Sequence, residues 1–323
     1  MKKVLGIGNA LVDIMTRVKD EGLLEKYELP KGSMQLVDHE FIKKLTVATE
    51  SMDRQLASGG SAANTIHGLA RLGVDTGFIG KVGRDELGTF FTDDMKKAGI
   101  TPHLFESETD SGRAIALVTP DSERTFATFL GAAVELSAGD LSPRIFEGYD
   151  YLHIEGYLIQ NQELMKQALE MARQNGLQVS LDLASFNVVE GNLDFLRSFV
   201  TDYVDILFAN EEEARAFTGK EPREALDMLA NLCQVVVVKV GKEGSYVKRG
   251  AERHQIDPIA AEPVDTTGAG DAYAAGFLYG LSQDKTLDEC GRLGSLLAGK
   301  VIEVVGAKMD PGKWKEIEQM MGK

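Results

Sequence analysis

An α/β fold is predicted, with a central, mostly parallel sheet flanked by helices and a small antiparallel β lid. Three features of the sequence carry this expectation. Short apolar runs without strict alternation recur at 4–7, 151–154, 179–182, 206–208 and 235–240, as strands covered on both faces do. Helical patterns lie between most of them, at 162–174, 193–200, 211–217 and 224–232, so strand and helix alternate and the crossovers should be right-handed. Two stretches break the rhythm. Residues 14–38 hold short strand candidates around Lys31-Gly32, and runs at 112–119 and 123–130 flank a Pro120-Asp121-Ser122 turn. The expected division is a large α/β domain of 1–13, 39–103 and 131–323, with a discontinuous lid of 14–38 and 104–130.

In an open parallel sheet, ligands bind beyond the carboxyl ends of the strands, so polar residues there are taken in chain order. Asn9 and Asp13 follow the first strand. Gly59-Gly60-Ser61-Ala62-Ala63-Asn64 is a glycine-led helix start, where a ligand can approach the backbone and Asn64 offers both donor and acceptor. It also reads as a turn with a cap. Asn210 ends a strand and opens Asn210-Glu211-Glu212-Glu213, which by itself reads as an acidic first helical turn. Lys239 and Gly241 follow the valine run.

The most informative stretch is Asp265-Thr266-Thr267-Gly268-Ala269-Gly270-Asp271, followed by the small apolar run 272–281, which reads as a buried helix. The bare amides of a helix start form an anion site. Beside them, a carboxylate such as Asp271 can accept a proton while the amides hold developing negative charge. A glycine turn with an acid that favours the helix dipole is the structural alternative.

Composition bounds the function. The chain has 323 residues, 43% hydrophobic and 26% charged, with a net charge of −15, the profile of an ordinary soluble globular protein. So acidic a chain, with no basic run, is a poor match for nucleic acid or an anionic membrane. The two cysteines, Cys233 and Cys290, are each expected in a helix and unbridged. No signal-peptide pattern follows Met1-Lys2-Lys3 and no apolar stretch approaches a membrane span, so a cytoplasmic location is expected. Gly6-Ile7-Gly8 fails as a dinucleotide fingerprint because Leu11 stands where the third glycine belongs. P-loop and protein-kinase motifs are absent. No pair of histidines has metal-binding helical spacing, and His153 with Glu155 falls short of a zinc site.

Residues 265–276 resemble, at nearly every position, the C-terminal signature of the ribokinase-like PfkB family of carbohydrate kinases. The 59–64 motif, followed by Gly80-Lys81-Val82-Gly83-Arg84-Asp85-Glu86-Leu87-Gly88, resembles the N-terminal signature. The resemblance runs from Gly6 to about Gly306. It implies an ATP-dependent kinase whose large domain binds the nucleotide and whose lid covers the acceptor and excludes water. Asp271 is then the base, and Gly268, Ala269 and Gly270 form the anion hole. Arg124 on the lid matches an arginine that, in adenosine kinases, reaches the transferring phosphate, a task suited to its permanent planar charge. Asn9, Asp13, Gln35, Gly59, Gly60, Ser61 and Asn64 are the implied acceptor ligands. Asn210, Lys239, Gly241, Gly244 and Thr266 are the implied nucleotide ligands. Asn210 and Glu213 are implied to organise Mg2+, partly through water, and Asp265 and Thr267 a monovalent cation, K+. Many relatives have Thr at the place of Lys239, which leaves the lysine either meeting a phosphate or standing exposed. Gly8-Asn9-Ala10-Leu11-Val12-Asp13-Ile14, Gln35, Gly59-Gly60-Ser61 and the strand leading to Asn210 look like the adenosine-kinase branch. The expected acceptor is therefore a nucleoside, with a free sugar or keto-deoxy sugar acid as the alternative. A non-catalytic nucleotide-sensing homologue is a further alternative, against which the intact Gly268, Gly270 and Asp271 stand. A monomer or homodimer fits either way.

Overall fold

The computed structural model describes residues 2–121 and 123–322. Ser122, in the expected lid turn, lies outside them. Nine strands form the large sheet. They are β1 (Val4–Ile7), β5 (Thr76–Gly83), β6 (Ile100–Ser107), β9 (Tyr151–Glu155), β10 (Gln178–Asp182), β11 (Ile206–Asn210), β12 (Val235–Lys239), β13 (Ser245–Arg249) and β14 (Glu252–Ile256), in the order β14-β13-β12-β11-β10-β9-β1-β5-β6. The seven strands from β12 to β6 run parallel, and β13 and β14 add an antiparallel edge.

Alternate residues of these strands enter two separate cores. Val4, Phe78, Tyr151, Ile206, Phe208 and Val237 face one side, against α3 (Ser61–Arg71), α4 (Glu86–Lys97), α10 (Ala269–Ser282) and α11 (Leu287–Val301). Leu5, Ile79, Leu152, Leu181, Leu207 and Val236 face the other, against α5 (Gln162–Gln174), α7 (Leu193–Tyr203), α8 (Glu211–Thr218) and α9 (Pro222–Leu229). Burial on both faces is why the runs are continuously apolar. At the centre Phe208 stacks edge-on against Phe277 of α10, ring centroids 5.4 Å apart.

The second sheet has five strands in the order β3-β8-β7-β2-β4. Its members are β2 (Leu11–Arg17), β3 (Met34–Leu36), β4 (Arg54–Gly59), β7 (Gly112–Val118) and β8 (Arg124–Phe129). It departs from expectation in three ways. Its pairings are mixed, since β2–β7 and β3–β8 are parallel while β2–β4 and β7–β8 are antiparallel. It recruits β4 from within 39–103 and starts at Leu11, because Leu11↔Gly59 to Thr16↔Arg54 pair edge to edge. On its other border, β6 stays in the large sheet as far as Gly83↔Ser107, beyond the expected boundary at 104. Cys233 lies in the turn before β12 and not in a helix, Cys290 lies in α11, and both are free thiols. Among the described residues, no helix is long and apolar enough to cross a membrane.

One buried carboxylate ties the layers together. Glu155, the last residue of β9, accepts from the Asn9 amide at 2.9 Å, from Asn9 Nδ2 at 2.5 Å and from the Ala62 amide at 3.1 Å. It thereby fixes the end of β1 to the start of α3, where helix amides have no partners of their own. Burial pushes its pKa up to about 7 against these hydrogen bonds. Replacing Glu155 with Gln keeps the shape but turns an N–H against a backbone N–H. The expected loss is about 1–3 kcal/mol in urea denaturation; a loss below about 0.5 kcal/mol would show that the anchor is dispensable.

Candidate active site

Two helix starts meet at the carboxyl edge of the sheet. α10 begins at Gly268, its N-cap, in the left-handed region at φ 75°. A β-carbon there would stand 2.6 Å from that of Ala307, so the turn needs glycine for both conformation and space. α3 begins after Gly60 at φ 98°, where a β-carbon would lie 2.1 Å from the Asn9 carbonyl oxygen. The two helices pack closely, with Gly68 of α3 facing Ala275 of α10.

Between these starts lies Asp271. Ser61 Oγ donates to its Oδ1 at 2.7 Å, Asn64 Nδ2 donates to its Oδ2 at 3.0 Å, and Thr65 Oγ1 donates to its carbonyl at 3.2 Å. Burial raises the pKa of Asp271 to about 6, while the bonds from Ser61 and Asn64 pull it back down. Asn64 Oδ1 is buried and, among the described residues, has no hydrogen-bond partner. Such an atom needs a donor from outside the chain. Asp13 adds a second carboxylate. Its oxygens press against the Gly59 backbone, and burial raises its pKa to about 6. Asn9 points its amide nitrogen at Glu155, so it positions the corner. Gln35 stands apart on exposed β3, and its amide donates to Ser33 Oγ at 3.2 Å.

The α10 start has fewer open amides than the motif suggests, because the Ala269 amide donates to the Thr266 carbonyl at 3.2 Å. Positive charge arrives from two other elements. Arg124, the first residue of β8, forms an ion pair with Asp265 and lies 3.4 Å from Thr267 Oγ1. Asp265 is buried and also accepts from the amides of Thr267 and Gly306. The residues expected to hold a monovalent cation are thus engaged by a guanidinium and two amides. They do not fit such an ion in this arrangement.

Lys239, at the end of β12, neither stands exposed nor lacks a partner. It pairs with Asp182 at 2.8 Å and its Nζ lies against Gly270, 3.1 Å from where a β-carbon would be. Burial lowers its pKa, but Asp182 and Glu213 outweigh that and the value is raised. Asp182 in turn is held below the usual range, because the ammonium outweighs its burial. Asn210 and Glu213 form a capping box at the start of α8, with Glu213 accepting from the Asn210 amide and from its Nδ2, both at 2.8 Å. Glu213 is buried, which pushes its pKa up to about 7 with help from Asp182. Glu213 and Asp182 are hard oxygen donors facing one edge, the chemistry magnesium prefers. Gly241 and Gly244 shape the exposed loop after β12 at φ 53° and 88°, and Thr266 is exposed beside the α10 start. In the 80–88 motif, Asp85 caps α4 and accepts from the Ser111 amide and hydroxyl, tying β7 to the large domain.

Sequence reading missed Glu155, Asp182 and Lys308, and it placed Ser61 and Asn64 only against the acceptor. Glu155 and Asp182 each end a parallel strand, as Asn210 and Lys239 do. That position is a usable signal.

Comparisons with known proteins give the family. Residues 33–312 match the model of the pfkB family carbohydrate kinases. An uncharacterized sugar kinase of Archaeoglobus fulgidus is 31% identical over 248 residues, 75% of this chain and 96% of the relative. Adenosine kinase 2 of Arabidopsis thaliana is 25% identical over 94% of both chains. The crystal structure of adenosine kinase from Sinorhizobium meliloti superposes with a TM-score of 0.87 at 35% identity, covering 99% of both chains. With residues 33–312 matched by the family model and the glycine turn and both helix starts in place, the chain belongs to the PfkB family of carbohydrate kinases.

Proposed function

We propose that this ATP-dependent kinase transfers the γ-phosphoryl group of MgATP to a primary hydroxyl of a nucleoside of the adenosine class. The observation that carries the reading is Asp271, a desolvated carboxylate held by Ser61 and Asn64 at the start of α10. Its raised pKa suits a proton acceptor near neutral pH. The acceptor hydroxyl gives its proton to Asp271 as its oxygen bonds to the γ-phosphorus. The bond from that phosphorus to the β–γ bridging oxygen breaks, and ADP leaves with the electron pair. The unpaired Asn64 Oδ1 and the Asp13 carboxylate offer acceptors to further substrate hydroxyls.

Negative charge on the transferring group meets the open amides at Gly268 and Gly270, with Lys239 beside them. Arg124 brings the lid onto the same turn through Asp265, so closure and charge are delivered together. Asp182, Asn210 and Glu213 would hold magnesium through water, because Asp182 already serves Lys239 and Ala184, and Asn210 and Glu213 serve each other. Bound there, the ion would neutralise phosphate charge. Asp265 and Thr267 do not fit a monovalent cation, and no step is assigned to one.

Similarity to the adenosine kinases of Sinorhizobium meliloti and Arabidopsis thaliana, over nearly the whole of each chain, favours a nucleoside acceptor. One observation favours a free sugar instead. Gln35, expected in the base pocket, is exposed on β3 and bonded to Ser33. Steady-state kinetics with adenosine, ribose, fructose and a keto-deoxy sugar acid decide between them. Adenosine is expected to give the highest kcat/KM, because remote contacts to the base support the chemical step. A free sugar better than adenosine by about tenfold would make this a sugar kinase.

Asp271→Asn should fold and bind ATP but lose turnover by at least about 10²–10⁴-fold, since an amide cannot take the proton. Turnover close to wild type in the folded variant would remove Asp271 from the mechanism.

A further inference from the structure

Beside the acceptor corner lies a cavity of about 230 Å³, lined among others by Asn64, His67 and Arg71 of α3, Asp94 of α4, Gly268 and Lys308. Asn64 and Gly268 belong to the site described above, so cavity and site share a wall. Lys308 follows α11 and reaches back across 250 positions of sequence to donate to Ser58 Oγ at 3.1 Å. Ser58 Oγ donates to Asp94 Oδ2 at 2.5 Å, and His67 Nε2 stands 3.4 Å from the same oxygen. Ser58 immediately precedes Gly59-Gly60 and pairs with Val12, the neighbour of Asp13. Lys308 Nζ thus holds the foot of the corner from which α3 starts.

The charges around Lys308 come from four elements. Burial acts most strongly on Lys308 and lowers its pKa to about 7, with Arg71 on α3 adding to that, while Asp94 on α4, Asp13 on β2 and Asp271 on α10 favour its charged form; it is therefore charged below about pH 7, where Asp13 titrates. His67, also on α3, is driven towards its neutral form by burial and by Lys308. For Asp13 the balance is simple. Burial and Asp271 disfavour its ionised form, and Lys308 favours it. A neutral Asp13 could accept fewer hydrogen bonds from a polyhydroxyl substrate.

We propose that Lys308 is a positioning residue for the phosphate acceptor, clamping Ser58 beneath the Gly59-Gly60 corner beside Asp13. The inference rests on the kinase reading above. Lys308 acts through Asp13 and the corner, so it sets acceptor affinity and its pH dependence and leaves ATP affinity alone. Methionine is close to lysine in length and flexibility and lacks its amino group, so it removes the bond to Ser58 with little change in shape.

The test compares the full-length wild type with Lys308→Met and Lys308→Arg. Acceptor and ATP kinetics are measured across pH with the acceptor panel above. The Asp13 carboxyl is titrated by carbon NMR, its resonance assigned with Asp13→Asn. Lys308→Met should raise the acceptor KM about tenfold or more and leave the ATP KM within about twofold. It should also move the acid limb of acceptor kcat/KM, and the Asp13 titration, upward by about 0.5–1 pH unit. Lys308→Arg should restore most of each. An unchanged acceptor KM with an unmoved acid limb overturns the proposal. So does an equal loss in both KM values with a lowered melting temperature that Lys308→Arg does not rescue, which is the mark of a merely structural role. If the wild type phosphorylates no acceptor, the kinase reading falls by itself. The Asp13 titration then decides alone, an upward move in Lys308→Met supporting the role of Lys308 and an unmoved one overturning it.

Discussion

The ionised carboxylate of Asp271 in a desolvated corner is the constraint around which this structure is arranged. A buried carboxylate is costly unless it is hydrogen-bonded. Here the donors come from α3, as Ser61 and Asn64, more than 200 residues away in sequence. Those donors are in place only if the start of α3 is fixed. Glu155 fixes it by holding both the end of β1 and the Ala62 amide. Gly68 then lets α3 approach α10 at Ala275 closely enough for the bonds to form. Each step is packing or hydrogen bonding, and the product is a desolvated carboxylate with a raised pKa at a glycine turn.

The second theme is charge balance. Asp13, Glu155, Asp182, Glu213 and Asp271 converge at one edge of the sheet, and burial alone would protonate most of them. Basic side chains from different elements hold the arrangement: Lys239 against Asp182, Arg124 against Asp265, and Lys308 on Ser58, its pKa lowered to about 7 by burial. Lys239 and Arg124 also stand beside the α10 start, where a phosphoryl group would bring further negative charge. At this edge of the sheet, positive charge comes from a few largely buried side chains, in a chain whose net charge is −15.

Much of this was legible in the sequence, for physical reasons. Parallel strands buried on both faces leave unbroken apolar runs, so β1 was located without error and β10, β11 and β12 to within two residues at either end. The glycine turn before Asp271 was legible because a left-handed N-cap admits little but glycine. What was hidden depends on long-range pairing. The β4 sequence, Arg54 to Gly59, has no apolar alternation and buries only Ser58 and Gly59, so it shows its strand only through β2. Arg124 meets Asp265, and Lys308 meets Ser58, across separations with no local pattern. Gln35 is exposed on β3 and bonded to Ser33, surroundings that a single-residue likeness does not reveal.

The central claim is that Asp271 is the base and that Ser61 and Asn64 tune it. The most direct measurement is the pH dependence of kcat at saturating acceptor and MgATP, for wild type and Ser61→Ala. Asp271 must be ionised to accept a proton, so kcat should fall as pH drops through its pKa of about 6. The Ser61 bond favours the ionised form, so its loss should move that limb to higher pH, with turnover recovered at alkaline pH. A kcat that stays flat through this range, or a limb that Ser61→Ala leaves in place, would contradict the account.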